Sequence, residues 1–247
     1  DNAEHEYQKT LALRPGHISS QIGLSSVYNK KGLYDQATKT LELMIEENRS
    51  SADPNLALAR LNLGELYGKT RKIENAIREW KTAIKIDPSL LPAHFNLGTA
   101  YMMQDKLQLA ENALKLCLEL NNHYEPALFN LAKVYQKQER WIESTQQFKA
   151  FLEVAGPRPS AYTQIGFNFN RQSDWENAQK FLEKSASLQP NNLNTRITLA
   201  ETFANLGQVK KAREHLEAAL EMLPNSNQKE AIDKMMLGLT DPENVAP

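Results

Sequence analysis

Apolar side chains recur every three or four residues, in blocks separated by short polar stretches, which is the period of amphipathic helices and not of alternating strands. Leu, Ala, Glu, Lys, Gln and Asn fill these blocks, and strand-like runs of Val, Ile and Thr are missing. The chain is predicted to be all-α. A longer period lies over the short one. Tyr28, Tyr67, Tyr101, Tyr135, Phe169 and Phe203 are separated first by 39 and then four times by 34 residues.

Setting repeats to begin at Ile18, Ala57, Leu91, Glu125, Pro159 and Leu193 brings the other key positions into line. The repeats then span 18–56, 57–90, 91–124, 125–158, 159–192 and 193–226. Position seven reads Leu24, Leu63, Leu97, Leu131, Ile165 and Leu199, and position eight reads Ser25, Gly64, Gly98, Ala132, Gly166 and Ala200. Small residues at a fixed place predict close approach of two helices. Ala37, Ala76, Ala110, Ser144, Ala178 and Ala212 at position twenty, with Leu41, Trp80, Leu114, Phe148, Leu182 and Leu216 at position twenty-four, form the inward stripe of a second helix. Pro88, Pro190 and Pro224 stop that helix.

The first repeat carries five extra residues, and Ser50 to Asn55 reads as an extended turn. In the fourth, Gly156-Pro157 replaces the closing proline. Residues 1–17 read as a partial repeat whose helix runs from His5 to Leu13, so an upstream extension is expected. Ser226 and Asn227, with Glu230 as capping-box partner, predict a last helix within 227–239. Ala231, Met235 and Ile232 are its candidates for covering the apolar end, and 240–247 reads as a frayed tail.

These recurrences resemble the tetratricopeptide repeat, with the Leu-Gly, Tyr, Ala, Pro pattern plainest in Leu63-Gly64, Tyr67, Ala76, Ala83 and Pro88. The resemblance covers residues 18 to 226 and implies a right-handed α-solenoid of antiparallel helix pairs. In that family the first helices line a concave groove, commonly through repeat positions two, five, six, nine, twelve and thirteen. Carried over, position six gives Asn62, Asn96 and Asn130, followed by Gln164 and Thr198. An amide donates and accepts, so such a series can hold a peptide backbone without reading its side chains.

This series is similar to the asparagine ladder in the repeat domain of O-linked N-acetylglucosamine transferase. The competing reading makes these residues tolerated polar positions or bonds between repeats. Around them Leu61, Phe95 and Phe129 are candidates for apolar ligand contacts, and Lys133, Lys137 and Arg171 for polar ones, with Glu65, Lys69 and Glu201 beside them. The family's carboxylate clamp keeps only its middle element, since Leu61, Glu65, Pro126 and Asn130 stand around Asn96. An acidic chaperone tail is therefore not the expected partner.

Chemistry adds little to this. With 29 basic and 30 acidic residues, no net field favours nucleic acid or an anionic membrane. One cysteine, Cys117, leaves no internal disulfide or cysteine-based zinc site, and none of His5, His17, His94, His123 and His215 pair at metal-ligand spacing. No phosphate loop or nucleophile elbow is present, so no enzyme activity and no cofactor are expected. No stretch near twenty apolar residues predicts membrane insertion, and the compartment is unreadable. A protein or peptide partner in the groove is the leading expectation. The alternatives are a scaffold that self-assembles, including a homo-oligomer, or the accessory region of a larger enzyme or secretion machine.

Overall fold

A computed structural model describes residues 2–49, 51–223 and 227–239, except the side chains of residues 227 and 228. The expected roles of Ser50, Pro224, Ser226, the Asn227 side chain and the tail 240–247 lie outside the described residues. Within them stand fourteen helices and no strand. These are α1 Asn2–Leu13, α2 Ile18–Lys30, α3 Tyr34–Glu47, α4 Asn55–Lys69, α5 Ile73–Ile86, α6 Leu91–Met103 and α7 Leu107–Leu120, then α8 Glu125–Lys137, α9 Trp141–Ala155, α10 Pro159–Arg171, α11 Trp175–Leu188, α12 Leu193–Asn205, α13 Val209–Glu221 and α14 Asn227–Leu237.

Two details differ from the sequence expectation. Helix α4 begins at Asn55, whose N–H is accepted by Asp53 Oδ1 at 2.8 Å, so the turn is shorter at its end. Helix α1 starts at Asn2, ahead of His5, because nothing in Asn2-Ala3-Glu4 interrupts a helix.

The chain forms two compact units, residues 1–122 and 123–247. In unit 1, α1 to α7 pack successively as antiparallel neighbours, and α4 also meets α2 and α6. In unit 2, α8 to α14 do the same, and α10 also meets α12. Both units are stacks of helix pairs of the tetratricopeptide solenoid type.

One corner is built six times. Gly32, Arg71, Asp105, Glu139, Ser173 and Gly207 all have φ between 58° and 76°, the left-handed conformation that ends a helix. At Arg71, its N–H goes to the Gly68 carbonyl at 3.1 Å and the following Lys72 N–H to the Tyr67 carbonyl at 2.8 Å. The same pair of bonds recurs at each corner, always ending on the periodic aromatic. That residue serves twice, packing its ring and accepting through its carbonyl.

Close approach explains position eight. A Cβ on Gly64 would lie 2.4 Å from Trp80 Nε1, and one on Gly166 2.4 Å from Leu182 Cγ. The glycine provides the space that the large position-twenty-four side chain fills. Unit 1 is centred on side chains such as Leu41, Met44, Leu66 and Leu114. Unit 2 contains a cluster around Phe148 and Ile165, one around Leu182, Leu199 and Phe203, and one in which Ile232 of α14 covers Ala200, Leu216 and Ala219. Ile232 is buried and Met235 partly so, while Ala231 is exposed and does not cover the apolar end.

Candidate binding cleft

In unit 1, Asn62 on α4 and Asn96 on α6 are half-buried. Asn96 Nδ2 donates to Glu65 Oε1 at 3.4 Å. Phe95 is half-buried, but Leu61 is only 5% exposed and sits with the core. A concavity of about 610 Å³ runs along α3, lined by Asp35, Lys39, Glu42, Glu46 and Lys72 among others. Its charged lining is of both signs, three carboxylates and two ammonium groups.

In unit 2 the first helices α8, α10 and α12 enclose a cleft of about 340 Å³ lined by Lys133, Gln136, Thr163, Gln164, Phe167, Asn194, Ile197 and Thr198. Lys133 Nζ donates to Gln164 Oε1 at 3.2 Å. Burial holds the Lys133 ammonium below the ordinary lysine pKa. Lys133 and Gln164, chosen from the sequence, are thus brought together. Asn130 is half-buried on α8, and Lys137 and Arg171 are exposed. The Arg171 guanidinium lies 5.4 Å from the centre of the Trp141 ring, which meets Phe167 edge-on at 5.9 Å. Phe129 turns to the core, with its ring 5.3 Å from those of both Phe148 and Phe151.

All eight lining residues stand at repeat positions two, five, six, nine or twelve. Gln136, Thr163, Phe167, Asn194 and Ile197 are not among the residues expected from the sequence, although their repeat positions are the signal that marks them.

The cleft walls are tied by buried polar side chains. Thr163 of α10, Ser185 of α11 and Thr195 of α12 form a triangle of hydroxyls, 2.7 to 3.1 Å apart. Asn170 Nδ2 donates to the Thr198 carbonyl at 3.3 Å, and Thr202 Oγ1 donates to Asn170 Oδ1 at 3.0 Å. The Asn168 amide lies within hydrogen-bonding distance of Gln136, Ser144 and Thr145. Each group is desolvated but partnered, the condition under which burial of polar atoms is tolerable.

The family model of the cilia and flagella-associated protein 70 C-terminal domain matches residues 1–235. The chain belongs to this family. Solved structures agree with its tetratricopeptide character. The C-terminal part of a TPR repeat-containing protein from Cytophaga hutchinsonii has a TM-score of 0.73 at 16% identity, covering 93% of this chain and 92% of that one. PilF of Pseudomonas aeruginosa has a TM-score of 0.68 at 17% identity, with 88% and 97% covered. YrrB, described as a TPR protein with an unusual peptide-binding site, has a TM-score of 0.67 at 19% identity, with 78% and 97% covered. At these identities the likeness is one of fold. No curated protein matches the chain in sequence.

Among the described residues of this cilia and flagella-associated protein 70 C-terminal domain relative, no group of three or more His, Cys, Asp or Glu is placed to hold a metal ion. No described helix is long and apolar enough to cross a membrane. Cys117 is fully buried, and burial pushes its thiol up to about 11.

Proposed function

We propose that the chain is a protein-binding scaffold, part of a cilia- and flagella-associated protein, that holds an extended peptide segment of a partner against its first helices. The observation that supports this best is the cleft of α8, α10 and α12, about 340 Å³ and lined by amide, hydroxyl and ammonium groups around Phe167 and Ile197. Such a lining offers a peptide backbone both donors and acceptors, while the two apolar side chains provide surface to bury. The half-buried amides of Asn62 and Asn96 offer the same kind of contact on first helices of unit 1, and Asn130 offers it on α8. Catalysis has no place in this reading.

A library of random dodecapeptides displayed on phage, selected on the purified chain, tests it. Recovered peptides are then measured by fluorescence anisotropy against wild type, the Asn62→Ala, Asn96→Ala, Asn130→Ala triple variant and a Gln164→Ala, Thr198→Ala double variant. Loss of about tenfold or more in affinity is expected for the double variant, the size of one or two lost hydrogen bonds. The triple variant should weaken those peptides that contact the position-six asparagines. Unchanged affinity for both variants, with thermal unfolding equal to wild type, would exclude the groove as the binding surface.

A further inference from the structure

Two position-nine side chains of opposite charge, Glu65 on α4 and Lys133 on α8, stand in equivalent places. Each reaches the position-six amide of the following repeat. Asn96 Nδ2 donates to Glu65 Oε1 at 3.4 Å, whereas Lys133 Nζ donates to Gln164 Oε1 at 3.2 Å. A carboxylate can only take the NH₂ end of an amide and an ammonium only its carbonyl end, so the charged neighbour decides which end is left for a ligand. At Gln164 the end left is Nε2, a donor.

Lys133 is half-buried in a cleft whose lining contains no Asp or Glu. Its contact there is with a neutral amide oxygen, which compensates an ammonium less than a counter-charge does. Phe167 and Ile197 form the apolar part of the wall. Of the other charged side chains on α8, α10 and α12, Lys137 and Arg171 are exposed and of the same sign, Arg196 is basic as well, and Glu125 stands at the far start of α8. Glu201 lines a different hollow, with Met235 and Leu239.

We propose that this cleft takes the carboxylate of an Asp or Glu side chain carried by an extended peptide, with Lys133 Nζ supplying the charge and Gln164 Nε2 a hydrogen bond. The inference rests on the peptide-binding reading above and names the ligand chemistry of that surface. Partial desolvation of Lys133 supports it, because a charge withdrawn from water gains more from an incoming partner than an exposed one.

Two libraries of capped nonapeptides, random except for a central Glu in one and a central Gln in the other, distinguish the outcomes. Each is passed over immobilised wild type, Lys133→Gln, Lys133→Arg and, as a distant control on α13, Lys210→Gln, and retained peptide is quantified by mass spectrometry. Wild type, Lys133→Arg and Lys210→Gln should retain the Glu library about tenfold better than the Gln library, matching one charge-assisted hydrogen bond. Lys133→Gln should retain the two equally. Equal retention by wild type, or a Glu preference that survives Lys133→Gln, overturns the carboxylate site while leaving peptide binding intact. Failure to retain either library overturns both readings. Thermal unfolding of each variant checks folding, and the Arg variant keeps the test decisive if Lys133→Gln is unstable.

Discussion

Repeat position ten is Leu66 and Ala100 in unit 1, but Asn168 and Thr202 in the last two repeats of unit 2, and all four side chains are buried. In the fifth repeat position twenty-seven is likewise polar, Ser185 where unit 1 has Ala83 and Cys117 and the last repeat Ala219, and position five is Thr163 where the second repeat has Leu61. Both units nevertheless build the same helix pairs and the same corners. The backbone therefore accepts either chemistry, provided that the polar residues arrive as complementary sets. An aliphatic seam is indifferent to small slips, whereas a set of directed hydrogen bonds is satisfied in one register. In unit 2 that register fixes the spacing of α10 and α12, and with it the width of the cleft.

The sharpest way to break this contrast is to truncate the same position in each unit. Leu66→Ala should cost about 2–5 kcal/mol, as a buried leucine that leaves a cavity does. Asn168→Ala should cost about 1–3 kcal/mol, because its partners Gln136, Ser144 and Thr145 lose a bond in a desolvated place. Urea unfolding followed by circular dichroism measures both. A value near zero for Asn168→Ala would show that the polar seam does not constrain unit 2.

A smaller effect concerns the hydroxyl triangle. Thr195→Val alone should cost about 0.5–1.5 kcal/mol, while the combined Thr163→Val, Ser185→Ala, Thr195→Val variant should cost less than the sum of its three single changes, since no hydroxyl is then left facing a lost partner and only the Pro159 carbonyl gives up its side-chain donors. Additive costs would mean that the three hydroxyls act independently.

The smallest effect is one of pH and belongs to unit 2. His215 stacks on Phe203 with ring centres 5.4 Å apart, and burial, helped by the Arg196 charge, pulls its pKa below the ordinary 6.5. The folded chain thus prefers the neutral ring. Its contribution to stability is complete above the unfolded value and is lost as pH falls from about 6.5 through the lower folded value. Chemical denaturation between pH 7.5 and 5 should show this decline in wild type and a reduced one in His215→Leu.

The fold was legible because its signals repeat: a spacing of 34 residues between aromatics and small residues at position eight survive noise at any one place. The corners were less so, since glycine marks only Gly32 and Gly207 while Arg71, Asp105, Glu139 and Ser173 adopt the same conformation. The site was legible by position more than by residue. Lys133 and Gln164 came from the family register, but Leu61 and Phe129 share position five with the cleft residue Thr163 and are drawn inward by their apolar surface. Asn168 and Thr195 gave no warning. A polar residue on an amphipathic helix reads as solvated until the helix facing it is known to bring matching hydroxyls.

Because the chain has a single thiol and it is buried on α7, alkylation of Cys117 is a built-in clock for the opening of the packing around that helix. The reagent must wait for the packing around Cys117 to open, and no second thiol in the chain competes for it. Comparing that clock with a global unfolding signal would tell whether the halves melt as one body or in turn.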